Sequence, residues 1–263
     1  MRILYIIVAS GLLATLFLWL GYFETIKRKV AGTLAVLSMV IGSVIMLFAV
    51  LPDNSFFGPV LAKVDTDKKV VALTFDDGPY SPYTENLLQV LAKEQVKATF
   101  FVVAENALKQ ERLIKEIQAG GHEIALHSFV HKDQLKLSPE AVKENLTKGK
   151  AALEKASGAQ IKYFRPPHGF KDWAVMQEIN VAGLEAVNWS VMPKDWNNPG
   201  VEVIAQRVIE KAHPGAIVLL HDGDSPKYKM PRAQTVEATG VIIRELRKQG
   251  YEFKTISELK MCK

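Results

Sequence analysis

The chain reads as an α/β protein: a parallel sheet covered by helices, preceded by two transmembrane helices. Three observations carry this. Short apolar runs alternate with amphipathic stretches about seven times after residue 68. Ile3 to Phe23 and Val30 to Leu51 hold no charge and span about 21 and 22 residues, against the roughly 20 that a bilayer core needs. The residues able to do chemistry fall at predicted strand ends, where parallel sheets place their sites. Such alternation gives a sheet closed as a barrel or doubly wound.

Only Arg2 precedes the first apolar run within the chain after Met1. The run ends in Trp19-Leu20-Gly21-Tyr22-Phe23, aromatics that suit a membrane interface better than a signal-peptide cleavage site. The link Glu24-Thr25-Ile26-Lys27-Arg28-Lys29 is short and basic, which places it in the cytoplasm and both termini outside. Arg2 is one opposing charge against three. The predicted organisation is residues 1–52 as the helix pair, 53–67 as a linker with Pro59 and Gly58, and 68–263 as an outer domain.

A single cysteine, Cys262, excludes an internal disulfide, so the outer domain stands on its core alone. The net charge of +5 comes from the loop and scattered lysines. No arginine cluster interleaves with aromatics, so nucleic acid is not a predicted partner. Membrane lipid is.

In the outer domain, Val70-Val71-Ala72-Leu73 reads as a buried strand leading into Thr74-Phe75-Asp76-Asp77, stopped by Gly78-Pro79. Helical spacing covers Thr84 to Glu94. Ala98 to Val103 is a strand, and Lys109 to Ala119 a helix closed by Gly120-Gly121. Glu123 to Leu126 is a short strand. Ser138 and Pro139 open a helix toward Lys155, ended by Gly158. Ile161 to Phe164 is a strand, Lys171 to Val181 a helix, and Leu184 to Trp189 a strand. Pro199 to Lys211 is a helix, Ala216 to Leu220 a strongly apolar strand, Gln234 to Gln249 a helix and Tyr251 to Lys254 a last strand.

Asp76 and Asp77 repel each other, and burial raises the cost of charging both; a metal or an arginine removes that cost. His127-Ser128-Phe129-Val130-His131 puts two imidazoles four apart after the third strand, on one side if the piece makes one helical turn. Two His and a carboxylate are a common ligand set for catalytic zinc. Arg165-Pro166-Pro167-His168-Gly169 stiffens a turn from which Arg165 can hold a carboxylate ionised. Lys194-Asp195-Trp196 offers an acid to orient an imidazole and an indole to wall a sugar site. Leu219-Leu220-His221-Asp222-Gly223 ends the most apolar strand. His122 and His213 lack such settings and read as structural.

Thr-Phe-Asp-Asp-Gly, His-Ser-x-x-His, Arg-Pro-Pro-x-Gly, Asp-Trp and Leu-x-His occur here in order from about Lys68 to Ile256, and in this the chain resembles the polysaccharide deacetylases of NodB homology. The resemblance implies a distorted (β/α) barrel of about seven strands. It implies that Asp77, His127 and His131 hold a divalent metal, zinc first, with cobalt, nickel or manganese as alternatives. It makes Asp76 the general base steered by Arg165, and His221 the general acid tuned by Asp195. Leu219 and Trp196 would shape the acetyl pocket, Pro167 and His168 the substrate side, and Ser128 a supporting position. The family often has Asp where Met192 stands and Tyr where His168 stands.

The implied activity is metal-dependent removal of N-acetyl groups from an N-acetylglucosamine-type polysaccharide outside the membrane, such as peptidoglycan or a chitin-like glycan. Two alternatives are a deacylase or deformylase of a lipid-linked sugar and an inactive glycan-binding membrane protein.

Overall fold

A computed structural model describes residues 2–223 and 231–263. Its centre is a curled parallel sheet. In chain order the strands are β1 (Val70–Asp76), β2 (Thr99–Val102), β3 (Glu123–Leu126), β4 (Tyr163–Phe164), β5 (Glu185–Ala186), β6 (Ala216–His221) and β7 (Glu252–Phe253). The spatial order is β5-β4-β3-β2-β1-β6, with β7 beside the start of β1 at Val70 and Val71. Every pairing is parallel. β1 is buried at each position, as the middle of such a sheet must be. The predicted strand of Val70 to Leu73 thus runs three residues further and carries Asp76 inside it.

The main covering helices are α3 (Tyr83–Lys93), α5 (Glu111–Ala119), α6 (Pro139–Ser157), α7 (Trp173–Val181), α8 (Val201–Ile209) and α9 (Ala233–Lys248), following α1 (Ile3–Tyr22) and α2 (Arg28–Val50). α6 begins where predicted: Ser138 caps the N–H of Ala141, Pro139 opens it, and Gly158 closes it at φ +69°. The expected helix from Lys109 is broken. Gln110 (φ −137°, ψ 49°) separates α4 (Ala104–Lys109) from α5. A closing helix, α10 (Ile256–Lys260), starts on a capping box of Thr255 and Glu258 that the sequence reading passed over.

β4 and β5 pair over only two residues each, shorter than predicted, because the sheet curls away and the chain beyond them turns into the site. The seam between β5 and β6 is closed at one end by Val191, just after β5, which bridges Val218, and at the other by residues 60–64. Leu61 bridges Val187 in parallel and Lys63 bridges Ala216 antiparallel. The N–H of Val64 donates to the carbonyl of Gly215 at 2.9 Å. A Cβ on Gly215, at φ +73°, would lie 1.8 Å from the carbonyl oxygen of Val64, so glycine is required there. Phe57, upstream, is buried in the main core.

α1 and α2 pack against each other through small residues. Gly21 faces Ala31, and Gly42 faces Ser10 closely enough that any added Cβ would collide. Their outer faces carry exposed Leu4, Leu12, Val36 and Leu47. Both helices pass the length and hydropathy test for crossing a membrane.

The pair is fastened to the outer domain at one end. Arg2, 4% exposed, pairs with Asp172 at 3.2 Å, and the N–H of Ile3 donates to the other Asp172 oxygen at 3.1 Å. The Lys171 N–H donates to the carbonyl of Ala49, and its ammonium to that of Leu51 at 2.6 Å, where a cation meets the negative end of α2. Asn188 donates to the carbonyl of Pro52 at 2.8 Å. Arg2, read from sequence as a weak orientation signal, is a buried tether.

Candidate active site

The site lies at the C-terminal ends of β1, β3, β4 and β6. β1 delivers Asp76 in strand geometry. Asp77 then takes φ +74°, which turns its carboxylate toward the residues after β3. Asn106 donates to the carbonyl of Asp77 at 2.9 Å and keeps the turn in place. The backbones are crowded here. A Cβ on Gly223 would stand 2.2 Å from the carbonyl carbon and oxygen of Asp77. Gly223→Ala is therefore expected to displace Asp77 and lower metal affinity by about 10-fold or more, of the order seen on disturbing a site's supporting shell; titration with zinc checks this.

Asp77, His127 and His131 come together. The Nε2 atoms of His127 and His131 stand 3.4 and 3.2 Å from Asp77 Oδ1, and one ligand atom from each lies within 4.8 Å of the others. The segment carrying the two imidazoles does not make the helical turn that would have put both on one side. Ser128 sits at φ +76°, outside helical space, and its hydroxyl donates to the carbonyl of Val130. The rings converge because Asn145, on α6, accepts the N–H of Phe129 and holds the loop. His127 Nδ1 lies 2.8 Å from the carbonyl oxygen of Arg165, to which it can only donate, so Nε2 is the ring atom turned to the cluster.

Asp77 Oδ1 is buried without a hydrogen-bond donor among the described residues. Burial opposes its charge, but His127, His131 and His221 outweigh this and hold the carboxyl well below the usual carboxylate range. Burial pulls His131 down to about 4, against the opposing pull of Asp77, so it is neutral at pH 7. An ionised acid whose buried Oδ1 has no donor among the described residues, the neutral imidazole of His131 and the Nε2 of His127 are a donor set that fits a divalent cation.

Asp76 stands beside the cluster, its Oδ2 3.8 Å from His127 Nε2 and its Oδ1 turned to Arg165. Arg165, with no exposed surface, donates to Asp76 Oδ1 at 2.6 Å and to the hydroxyl of Thr74 at 2.8 Å. Its remaining donors reach the carbonyls of Val187 and Asn188. Its guanidinium lies 3.9 Å from the ring centre of Phe101. Burial pulls its pKa down, and Asp76 pulls it back.

His221, the last residue of β6, stands opposite. Asp195 grips it twice: Oδ1 accepts from Nδ1 at 2.9 Å, and Oδ2 accepts from its backbone N–H at 2.9 Å. Thr235, on α9, donates to the same Oδ2 at 2.9 Å; this support has no local sequence signal. Burial works against the imidazolium, yet Asp195, then Asp77 and Asp76, raise the His221 pKa to about 9. At pH 7 it is a proton donor.

Asp76, Asp77, His127, His131 and His221 line one cleft of about 770 Å³, with Arg165 and Asp195 buried behind them. Leu219, Trp196 and His168 line it, with the Trp196 ring 5.3 Å from that of His221. Pro167 is buried beneath His168. His168, at φ +62°, sets its ring edge-on to that of His131 at 5.1 Å. Met192 lines the apolar side with Trp189. Sequence reasoning missed Arg232, whose Nε–H donates to the carbonyl of Gly223, and it missed Val50 and Pro52, which come from the helix pair. His122, as expected, is structural: its Nδ1 accepts the N–H of Ala98. A separate hollow of about 810 Å³ beside α3 and α5 holds none of the site groups.

A curled parallel sheet with an Asp-His-His cluster at its C-terminal edge defines a hydrolase-type α/β scaffold. The chain belongs to the polysaccharide deacetylase family, whose sequence pattern it matches over residues 63–187. It is 40% identical over 204 residues to the peptidoglycan-N-acetylglucosamine deacetylase of Bacillus cereus, covering 77% of this chain and 93% of that one. It is 39% identical over 196 residues to a chitooligosaccharide deacetylase of Bradyrhizobium, covering 72% and 90%. Among solved structures, the Bc1960 peptidoglycan N-acetylglucosamine deacetylase superposes with a TM-score of 0.72 at 29% identity, over 78% of this chain and 94% of that one. BA3943 of Bacillus anthracis, a CE4 family pseudoenzyme, superposes with 0.71 at 31% identity, over 77% and 69%. Fold alone therefore does not separate active from silent members.

Proposed function

We propose that this protein is an active, metal-dependent deacetylase of N-acetylglucosamine-type glycans, held in the cytoplasmic membrane with its outer domain on the extracytoplasmic side. The observation that carries this is the opposed pair around the cation cluster: Asp76 tied to Arg165 on one flank and His221 tied to Asp195 on the other. A silent binding protein has no need of a buried base and a raised acid.

Asp77, His127 and His131 would hold the metal, zinc being favoured by two imidazoles and one carboxylate. When bound, the cation supplies an electrophile for the amide carbonyl and lowers the pKa of a water toward ~7. Asp76, held in place by Arg165, accepts the proton of the attacking water. His221 Nε2–H donates to the amide nitrogen as the C–N bond breaks, so acetate and a free amine leave. Trp196 and Leu219 pack the acetyl methyl, while Pro167 and His168 border the sugar. The basic link between α1 and α2, in the cytoplasm, sets the domain outside.

Purified full-length protein is expected to contain about one equivalent of divalent metal and to release acetate from chitooligosaccharides or peptidoglycan. Chelation should abolish release, and zinc should restore it. Asp77→Ala should lose both the metal and the activity with an unchanged circular dichroism spectrum. Metal-loaded protein that binds glycan but frees no acetate would overturn the reading in favour of a silent binder.

A further inference from the structure

The helix pair does more than anchor the domain, because its outer end is part of the cleft. Val50, the last residue of α2, and Pro52 line the same cavity as Asp77, His131 and Leu219. They are held there by backbone and side-chain bonds to Lys171 and Asn188, which lie on the turns leaving β4 and β5. Arg2 and Asp172 fix the neighbouring end of α1 at the same level, both fully or nearly fully buried. Two helices are thus clamped against the chemical edge of the sheet, not against its far side.

That edge then faces the bilayer. A helix of 23 residues rises about 35 Å, slightly more than the roughly 30 Å of hydrocarbon. Val50 accordingly sits where hydrocarbon gives way to headgroups. An aromatic cluster marks the same level from the domain's side. Phe56 is half exposed and contacts both Phe48 of α2, at 5.2 Å between ring centres, and Trp173 of α7, at 5.4 Å. Aromatic rings of this kind gather at the membrane interface. Trp173 is two residues from Lys171, so the interface level passes beside the cleft.

We infer that the outer end of the helix pair forms one wall of the substrate site, and that the site takes an N-acetylated saccharide joined to a membrane lipid. This rests on the deacetylase reading and on both helices crossing the bilayer. A saccharide whose first sugar already lies among the headgroups enters such a cleft without leaving the surface. A free polymer has to pass between the domain and the bilayer. The apolar wall of Val50 and Pro52, with Phe170, meets the lipid end of such a molecule, while Trp196 and His221 line the same cleft. Arg2 acts as a positioning residue that keeps the wall against the site.

The test uses the full chain in phospholipid vesicles with three probes: chitotetraose joined to a polyprenyl lipid in the same vesicles, free chitotetraose, and peptidoglycan. Acetate release from the lipid-joined probe is expected to exceed that from free chitotetraose by at least about 10-fold at equal bulk concentration. Sharing a membrane contributes to that ratio by itself, so the deciding arm is Arg2→Ala, which stays in the vesicle. It is expected to lose most of the advantage while acetate release from free chitotetraose stays within about twofold; Arg2→Lys should recover the advantage. Val50→Trp, which crowds the wall without touching the tether, should depress the lipid-joined probe more than the free one. Faster release from free chitotetraose or peptidoglycan, or an undiminished advantage in both Arg2→Ala and Val50→Trp, would overturn the inference and leave the deacetylase reading intact. No acetate from any probe would overturn both.

Discussion

Asp76→Asn is expected to lower kcat by about 10²–10⁴, the range general-base removal commonly costs. The amide keeps the shape of the carboxylate but cannot accept the water's proton. Asp76 is 2% exposed and lies 2.6 Å from a fully buried guanidinium. The substitution therefore also strands Arg165 as a buried cation without a counter-charge, and breaking such a pair costs roughly 3–5 kcal/mol. Both effects are separable. Thermal unfolding reads the second, and metal content should be unchanged because Asp77, not Asp76, sits among the imidazoles. An Asp76→Asn protein that unfolds at a lower temperature but retains full kcat at permissive temperature would remove Asp76 from the chemistry.

The second large effect concerns the proton donor. His221 is raised to about 9 chiefly against burial, by Asp195 and the two site aspartates. The protonated form is present below that value and lost as pH rises through it, so the wild-type rate should fall on the alkaline side. A resident cation, being positive, moves that limb to lower pH. Asp195→Asn removes the strongest raising influence and leaves burial to dominate, which lowers the pKa of His221. The expected result is an alkaline limb shifted down by at least about one unit and a kcat at pH 8 reduced by about 10²-fold, with a smaller loss at pH 6. A pH–rate profile that drops in height without moving its limb would assign Asp195 to structure alone.

The chemistry was legible because each motif follows an apolar run ending at a turn. Val70 to Leu73 before Asp76, Glu123 to Leu126 before His127, and Ala216 to Leu220 before His221 all read as strands, and parallel strands bring their ends together. What lay beyond reading was contact between distant segments. Thr235 supports Asp195 from 40 residues away. Asn145 shapes the His127–His131 loop, so the rings converge without the helical turn that the spacing implied. β4, β5 and β7 are short because curvature limits their pairing, and side-chain pattern reports burial rather than ladder length. The break at Gln110 carries neither Gly nor Pro to announce it. Arg2 looked like a terminal charge because only the folded chain brings Asp172 to it.

Residues 60–64 have a practical consequence for anyone cutting the protein. They close the cylinder like a last stave, so a recombinant fragment beginning at Lys68 would leave Val187 and Ala216 without their partners Leu61 and Lys63, exposed backbone that invites strand-to-strand clumping. A fragment starting ahead of Phe57 keeps the plug and is expected to stay dispersed, which light scattering on the two purified pieces would tell apart.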